Sequence, residues 1–251
     1  MTLVLAFVHP DRVEILTDRA AIDPNGVVVD IAPKVRTRQH PTMAVAGRGR
    51  AALLDVFAAA LDAAVERHGF DGGLSLLGDL VAEQRALFDA HGADFELLVA
   101  GISETSGLGL WALPSHNLMP GMPAWRITKA PIGFNLAMGG KIDLQALIAK
   151  GASQDALVAS FYGGTLLPDY GVVIAETMRE ASGFDDETDP ERFGQCTIGG
   201  GVDLTTVTAT SVETTPLRIW SEDLLGRPIR TLINPSKKEQ VCSQYDASNN
   251  L

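Results

Sequence analysis

Residues 3–8 (LVLAFV) form an apolar run too short for a helix, and residues 12–17 (RVEILT) alternate as a half-buried strand does. Asp11 supplies the turn between them, so the pair reads as a β-hairpin. Pro24-Asn25-Gly26 marks a further turn. Residues 27–31 and 35–38 are short strand candidates, and 42–46 is an apolar strand ended by Gly47. The period then changes. Residues 51–68 place Leu53, Leu54, Phe57, Leu61 and Val65 on one side of a helix that Gly69 stops. Residues 74–91 repeat this with Leu77, Leu80, Val81 and Leu87, and Gly92 stops them.

Strands return at 95–102, 108–113, 125–129 and 134–138. A second helical stretch covers 142–182, broken near Gly151 and at Gly163-Gly164. Residues 183–193 are an acidic loop, and strands near 195–199, 202–210 and 216–220 follow. The order is strands, helices, strands, helices, strands, without strict βα alternation. This predicts an α+β fold, a sheet sandwich with helices outside, rather than a doubly wound parallel sheet. Residues 1–220 are expected to form one domain, with 221–251 as a C-terminal extension or tail.

Composition narrows the function. Hydrophobic residues make up 46% of the 251, enough for a sizeable core. A net charge of −11 argues against nucleic acid as a partner. No apolar run reaches membrane-span length, so no membrane partner is expected. The N-terminal stretch has neither a basic n-region nor a small-residue cleavage site, so no signal peptide is expected. The expected compartment is the cytoplasm, with Cys196 and Cys242 reduced. With no CxxC pair or Cys/His cluster, no metal or cofactor is expected.

The candidate chemistry begins at Thr2. Removal of Met1 would give it a free α-amine beside its own hydroxyl, a nucleophile and a base on one residue. The unperturbed amine titrates at roughly 7.7–8.0, so much of it is neutral near neutral pH. Asp18 and Lys34 follow 16 and 32 positions later, each at the edge of a strand candidate. A lysine ammonium would lower the amine pKa and stabilise the alkoxide, and an aspartate would aim it. Gly47, between a strand and a helix, can point its N–H into an oxyanion site.

The stretches TLVLAF, VEILTDRA, PKV and MAVAGRGRAALLDVFAAAL resemble the N-terminal part of a proteasome β-subunit or of its bacterial ring-peptidase relative. The resemblance covers 1–115, and more loosely 130–210. It implies a four-layer αββα sandwich of the N-terminal-nucleophile hydrolase type. Thr2 would be nucleophile and base, Lys34 its tuner, Asp18 the orienter of Lys34, and Gly47 the oxyanion donor. Ala21, Ile22, Ala32, Arg36, Ala46 and Arg50 would line the pocket for the residue before the cut bond, the two arginines favouring an acidic side chain. It also implies a homo-oligomer (ring or helical assembly), a peptide or protein substrate, and an ATP-dependent unfoldase as a candidate partner.

The chain departs from that pattern in two segments, and the family's arginine two residues past the aspartate is shifted to Arg19. Met138-Gly139-Gly140 stands where the family has Gly-Ser-Gly, and Gln195 to Gly200 where it has Asp-x-x-Ser-Gly-Gly. Two readings follow: a threonine-type peptidase or amidase, or a catalytically inactive structural or assembly subunit. Competing motifs are weaker. Gly47-Arg48-Gly49-Arg50-Ala51-Ala52 fits a dinucleotide fingerprint in spacing alone, since no second strand follows its helix. The acidic loop lacks calcium-loop spacing, and there is no GxSxG.

Overall fold

The computed structural model describes residues 2–117, 119, 121–139, 142–181 and 196–229. The expectations for Met1, the acidic loop at 183–193, Cys242 and the tail beyond 229 lie outside the described residues. The elements in chain order are β1 (Val4–Val8), β2 (Arg12–Asp18), β3 (Ala20–Ile22), β4 (Val28–Ile31), β5 (Arg36–Arg38) and β6 (Met43–Arg48), then α1 (Ala51–Ala90). After it come β7 (Glu96–Ser103), β8 (Gly107–Pro114), β9 (Thr128–Lys129), β10 (Asn135–Met138), α2 (Leu144–Ala149), α3 (Gln154–Gly163), α4 (Leu166–Ala181), β11 (Gly201–Thr208) and β12 (Val212–Ile219).

The structure is mixed α and β, and every strand pairing among the described residues is antiparallel. One five-stranded sheet has the order β10-β1-β2-β11-β12, the other β5-β6-β7-β8-β9, and β3 and β4 form a separate hairpin. The β1–β2 hairpin forms as the alternation predicts, with Val8 opposite Val13 and Val4 opposite Thr17. The period of two sends each strand's alternate residues into different apolar clusters. Leu3, Leu5 and Leu16 pack with Leu167, Ile174 and Met178 of α4. Val4, Ala6, Val13 and Ile15 pack with Ala44, Ala46, Leu98 and Leu110 of the other sheet. Val45, Leu97 and Val99 pack with Phe57, Leu61, Phe70 and Leu74 of α1. Dozens of buried apolar side chains, at about 1.5–3 kcal/mol each, are the main favourable contribution to this fold.

Three expectations need correction. Residues 196–200 form no strand: the Gly199 and Gly200 N–H groups bind carboxylates instead of a ladder, and the Cys196 N–H binds Ile229 O. The strand expected over 125–129 shrinks to Thr128–Lys129, since Trp125 takes φ 63° and gives its N–H to Pro114 O at 2.7 Å. β6 runs through Gly47 to Arg48 rather than ending before it.

The two expected helices meet directly in α1, which bends at Gly69, where φ is 73°. The bend frees N–H groups at Phe70 and Asp71, and Glu104 in the β7–β8 turn accepts both, at 2.7 and 2.8 Å. The Asp71 N–H first, with that of Phe70, holds the Glu104 carboxyl below its usual pKa. A depressed carboxyl stabilises the fold above its unfolded pKa, and the benefit fades as pH falls through the folded value. Glu104→Ala is expected to cost about 1 kcal/mol, as loss of a helix cap does. Thermal melts at neutral and acid pH check this, with the gap from the parent protein closing in acid.

Candidate functional site

The site lies at the end of β1 and β2. Strand pairing sets Leu3 beside Asp18, and the buried Asp18 carboxylate accepts the Leu3 N–H at 3.0 Å. Its other oxygen accepts the Gly199 N–H at 3.1 Å. Lys34 comes from the β4–β5 connection. That connection is held at Ala32, whose N–H binds Arg19 O at 3.0 Å, and at Val35, buried between the sheets. The Lys34 ammonium reaches Asp18 Oδ1 at 2.7 Å and Thr2 Oγ1 at 3.2 Å. The three residues singled out by spacing therefore form one hydrogen-bonded chain.

Burial pushes the Asp18 carboxyl's pKa up, while the Lys34 ammonium and the two backbone N–H groups draw it back. The ion pair is sheltered, with side-chain exposures of 17% for Lys34 and 0% for Asp18. That shelter strengthens the field Lys34 exerts on the Thr2 hydroxyl.

Gly139 explains the absent serine. It follows β10, which pairs with β1, and takes φ 102°. A Cβ there would stand 2.5 Å from Thr2 O and 3.0 Å from Leu3 Cα. No side chain fits without displacing Thr2. In the second departing segment, Thr197 has a buried hydroxyl with no hydrogen-bond partner among the described residues.

The remaining expected residues are spread more widely. Gly47 lies on β6, which packs across from β1, and a side chain there would meet Glu96 O at 2.5 Å. Ala46 is buried between the sheets with Val4 and Val35. Ala21 and Ile22 lie on β3, the latter against the α4-side core. Arg36 sits opposite Val45, on the α1 side of its sheet, and binds Asp55 at 2.6 Å. Arg36 and Ala46 therefore occupy opposite faces. Arg50 is exposed at the start of α1. The dinucleotide spacing beginning at Gly47 lies between antiparallel strands, so it has no βαβ unit around it.

Two groups near the site escaped the sequence reading. Arg179 of α4 makes a buried two-pronged pair with Asp223, at 2.6 and 2.7 Å, and Asp223 also accepts the Gly200 N–H at 2.6 Å. Asp203 of β11 lies opposite Thr17, beside Asp18. Partners 44 or 186 positions apart leave no local signal in the chain.

Solved structures similar to this one include Anbu (ancestral beta-subunit) from Yersinia bercovieri, with a TM-score of 0.56 and 13% identity over 99% of this chain and 95% of that one. A glycine mutant of Anbu from Hyphomicrobium sp. strain MC1 gives a TM-score of 0.55 and 11% identity over 100% and 96% of the two chains. The likeness is one of fold. No family model matches the sequence, and no curated protein does. This corrects the resemblance drawn from the N-terminal stretches. Membership of the proteasome β-subunit or ring-peptidase family is not supported, and what the chain shares is a distant Anbu-like fold. Among the described residues no group of three or more His, Cys, Asp or Glu is placed to hold a metal ion. No helix among them is long and apolar enough to cross a membrane.

Proposed function

We propose that the chain is a threonine-type peptidase or amidase that works through an acyl-enzyme on Thr2, freed of Met1. The observation that carries this reading is the Lys34 ammonium shared between Thr2 Oγ1 and Asp18 Oδ1. Thr2 Oγ1 attacks the substrate carbonyl carbon, and its proton passes to the α-amine of the same residue. Lys34 stabilises the alkoxide by charge, and Asp18 holds Lys34 in place. The Gly47 N–H donates to the oxyanion. Collapse of the tetrahedral intermediate breaks the C–N bond, and the α-ammonium gives its proton to the leaving amine. Water then attacks the ester, releases the acid and restores the hydroxyl.

The apolar clusters fit a four-layer αββα sandwich of the N-terminal-nucleophile type, with the substrate entering between the sheets. Ala21, Ile22, Ala32 and Ala46 would line the first pocket. With Arg36 turned to Asp55, a preference for an acidic side chain would rest on Arg50. The working form would be a self-compartmentalised homo-oligomer acting on peptide or protein, with an ATP-dependent unfoldase as a further partner.

The test is intact mass after treatment with an electrophile that traps N-terminal threonine. Loss of Met1 and one adduct on Thr2 are expected. Retained Met1 with no adduct would instead favour an inactive structural or assembly subunit, a reading that the lack of room at Gly139 supports. Lys34→Ala is expected to stop turnover, and a rate unchanged from the parent would refute its role. Protonation of Asp18 would release Lys34. The acid limb of the pH–rate profile is therefore expected above the ordinary aspartate value of about 3.9.

A further inference from the structure

Among the described residues, the arginine–carboxylate pairs buried in the protein differ in how they close. Arg179 with Asp223, and Arg48 with Glu96, use both prongs of the guanidinium and both carboxylate oxygens, at 2.6–2.8 Å. Arg19 and Asp203 do not. Their nearest approach is 3.7 Å, although Asp203 is 2% exposed. Arg19 Nε and Asp203 Oδ2 are both buried without a partner among the described residues, as is the hydroxyl of Thr17 opposite Asp203. An ion pair kept for stability would close onto those atoms. A carboxylate held open in the core is costly, and leucine or valine would pack there at less expense.

Its position gives the reason. Asp203 sits across from Thr17 and diagonal to Asp18, which pairs with Val202. We infer that Asp203 is a positioning residue whose charge balances the two cations of the site, Lys34 and the Thr2 α-ammonium, from the strand beside Asp18. The other charged groups around it are few. Asp18 ends β2 and Arg19 follows it, with Lys34 beyond Asp18, while Arg12 and Glu14 at the other end of β2 pair with each other. Across the core, β6 and β7 present Arg48 and Glu96, which pair with each other, and His116 also reaches Glu96 at 2.7 Å. β1 carries no charge, and Arg218 of β12 lies opposite Val202.

Two consequences differ in sign from those of a structural pair. Burial, with a smaller push from Asp18, raises the Asp203 pKa. A raised carboxyl binds its proton more tightly in the folded state. Stability is then lost as pH rises from the unfolded value through the folded one. Removing the charge also makes both Asp18 and the α-ammonium easier to deprotonate, which moves the acid limb of activity to lower pH. Removing the Arg19 charge does the reverse.

The kinetic part rests on the peptidase reading, and the stability part does not. In the full-length protein, Asp203→Asn is expected to melt no lower than the parent at neutral pH and to lose part of the decline in melting temperature with rising pH. Its acid limb should fall by about one pH unit, and that of Arg19→Gln should rise by a similar amount. A clearly lower melting temperature for Asp203→Asn at neutral pH would overturn the inference, because it would make the pair structural. So would two limbs that move together or stay fixed. If the parent hydrolyses nothing, the peptidase reading fails, while the melting series still decides whether the buried carboxylate is held against the fold's interest.

Discussion

Thr2→Ala is expected to abolish hydrolysis, lowering kcat/KM by on the order of 10⁴-fold or more. That corresponds to about 5.5 kcal/mol of lost transition-state stabilisation. The substitution removes the one hydroxyl that Lys34 holds at 3.2 Å while leaving the Lys34–Asp18 pair at 2.7 Å intact. The fold should barely notice. Thr2 is half-buried, precedes β1, and loses only a modest hydrogen bond, worth about 1 kcal/mol. Melting temperature and assembly size are therefore expected to match those of the parent. Activity measured on the same preparation separates chemistry from folding. Full activity in this variant would remove Thr2 from the mechanism, whatever the intact mass shows.

What the sequence revealed depended on how far each signal reached along the chain. The β1–β2 hairpin is written in five to seven consecutive residues, and it formed as expected. The breaks at Gly69, Gly151 and Gly163-Gly164 were legible because glycine punctuates helices locally. β3 was missed because Ala20–Ile22 is three residues long and carries no alternation. Residues 196–198 look like a strand because apolar Cys196 and Ile198 alternate with Thr197. The glycines after them take φ 74° and 142°, which turns the segment into a loop that gives N–H groups to Asp18 and Asp223. Thr2, Asp18 and Lys34 could be picked out by spacing, and they meet. Arg36 and Ala46 were placed in one pocket by the same resemblance, yet register sends them to opposite faces of one sheet. Spacing along the chain is blind to which side of a strand a residue occupies, and only pairing decides that.

The second large effect concerns a residue outside the proposed chemistry. Asp223→Ala is expected to destabilise the protein by about 3 kcal/mol or more, because it takes the two-pronged carboxylate from a buried guanidinium. For a chain of this size that is a fall of very roughly 6–12 °C in melting temperature. Arg179 has a side-chain exposure of 10% and lies over Trp220 at 4.4 Å, so it cannot simply turn to water. Glu222 is 3.9 Å away but mostly exposed, and a surface contact repays little of the loss. Asp223 also accepts the Gly200 N–H, next to the Gly199 N–H that holds Asp18. The variant should therefore lose activity at temperatures where it is still folded. Arg179→Met combined with Asp223→Leu removes both buried charges and should recover part of the stability. It should not recover the activity, because the Gly200 N–H still has no acceptor and the loop beneath Asp18 stays loose. Recovery of both together would mean that the pair serves the fold alone. Recovery of neither would mean that the Gly200 contact, rather than the ion pair, is what the region depends on.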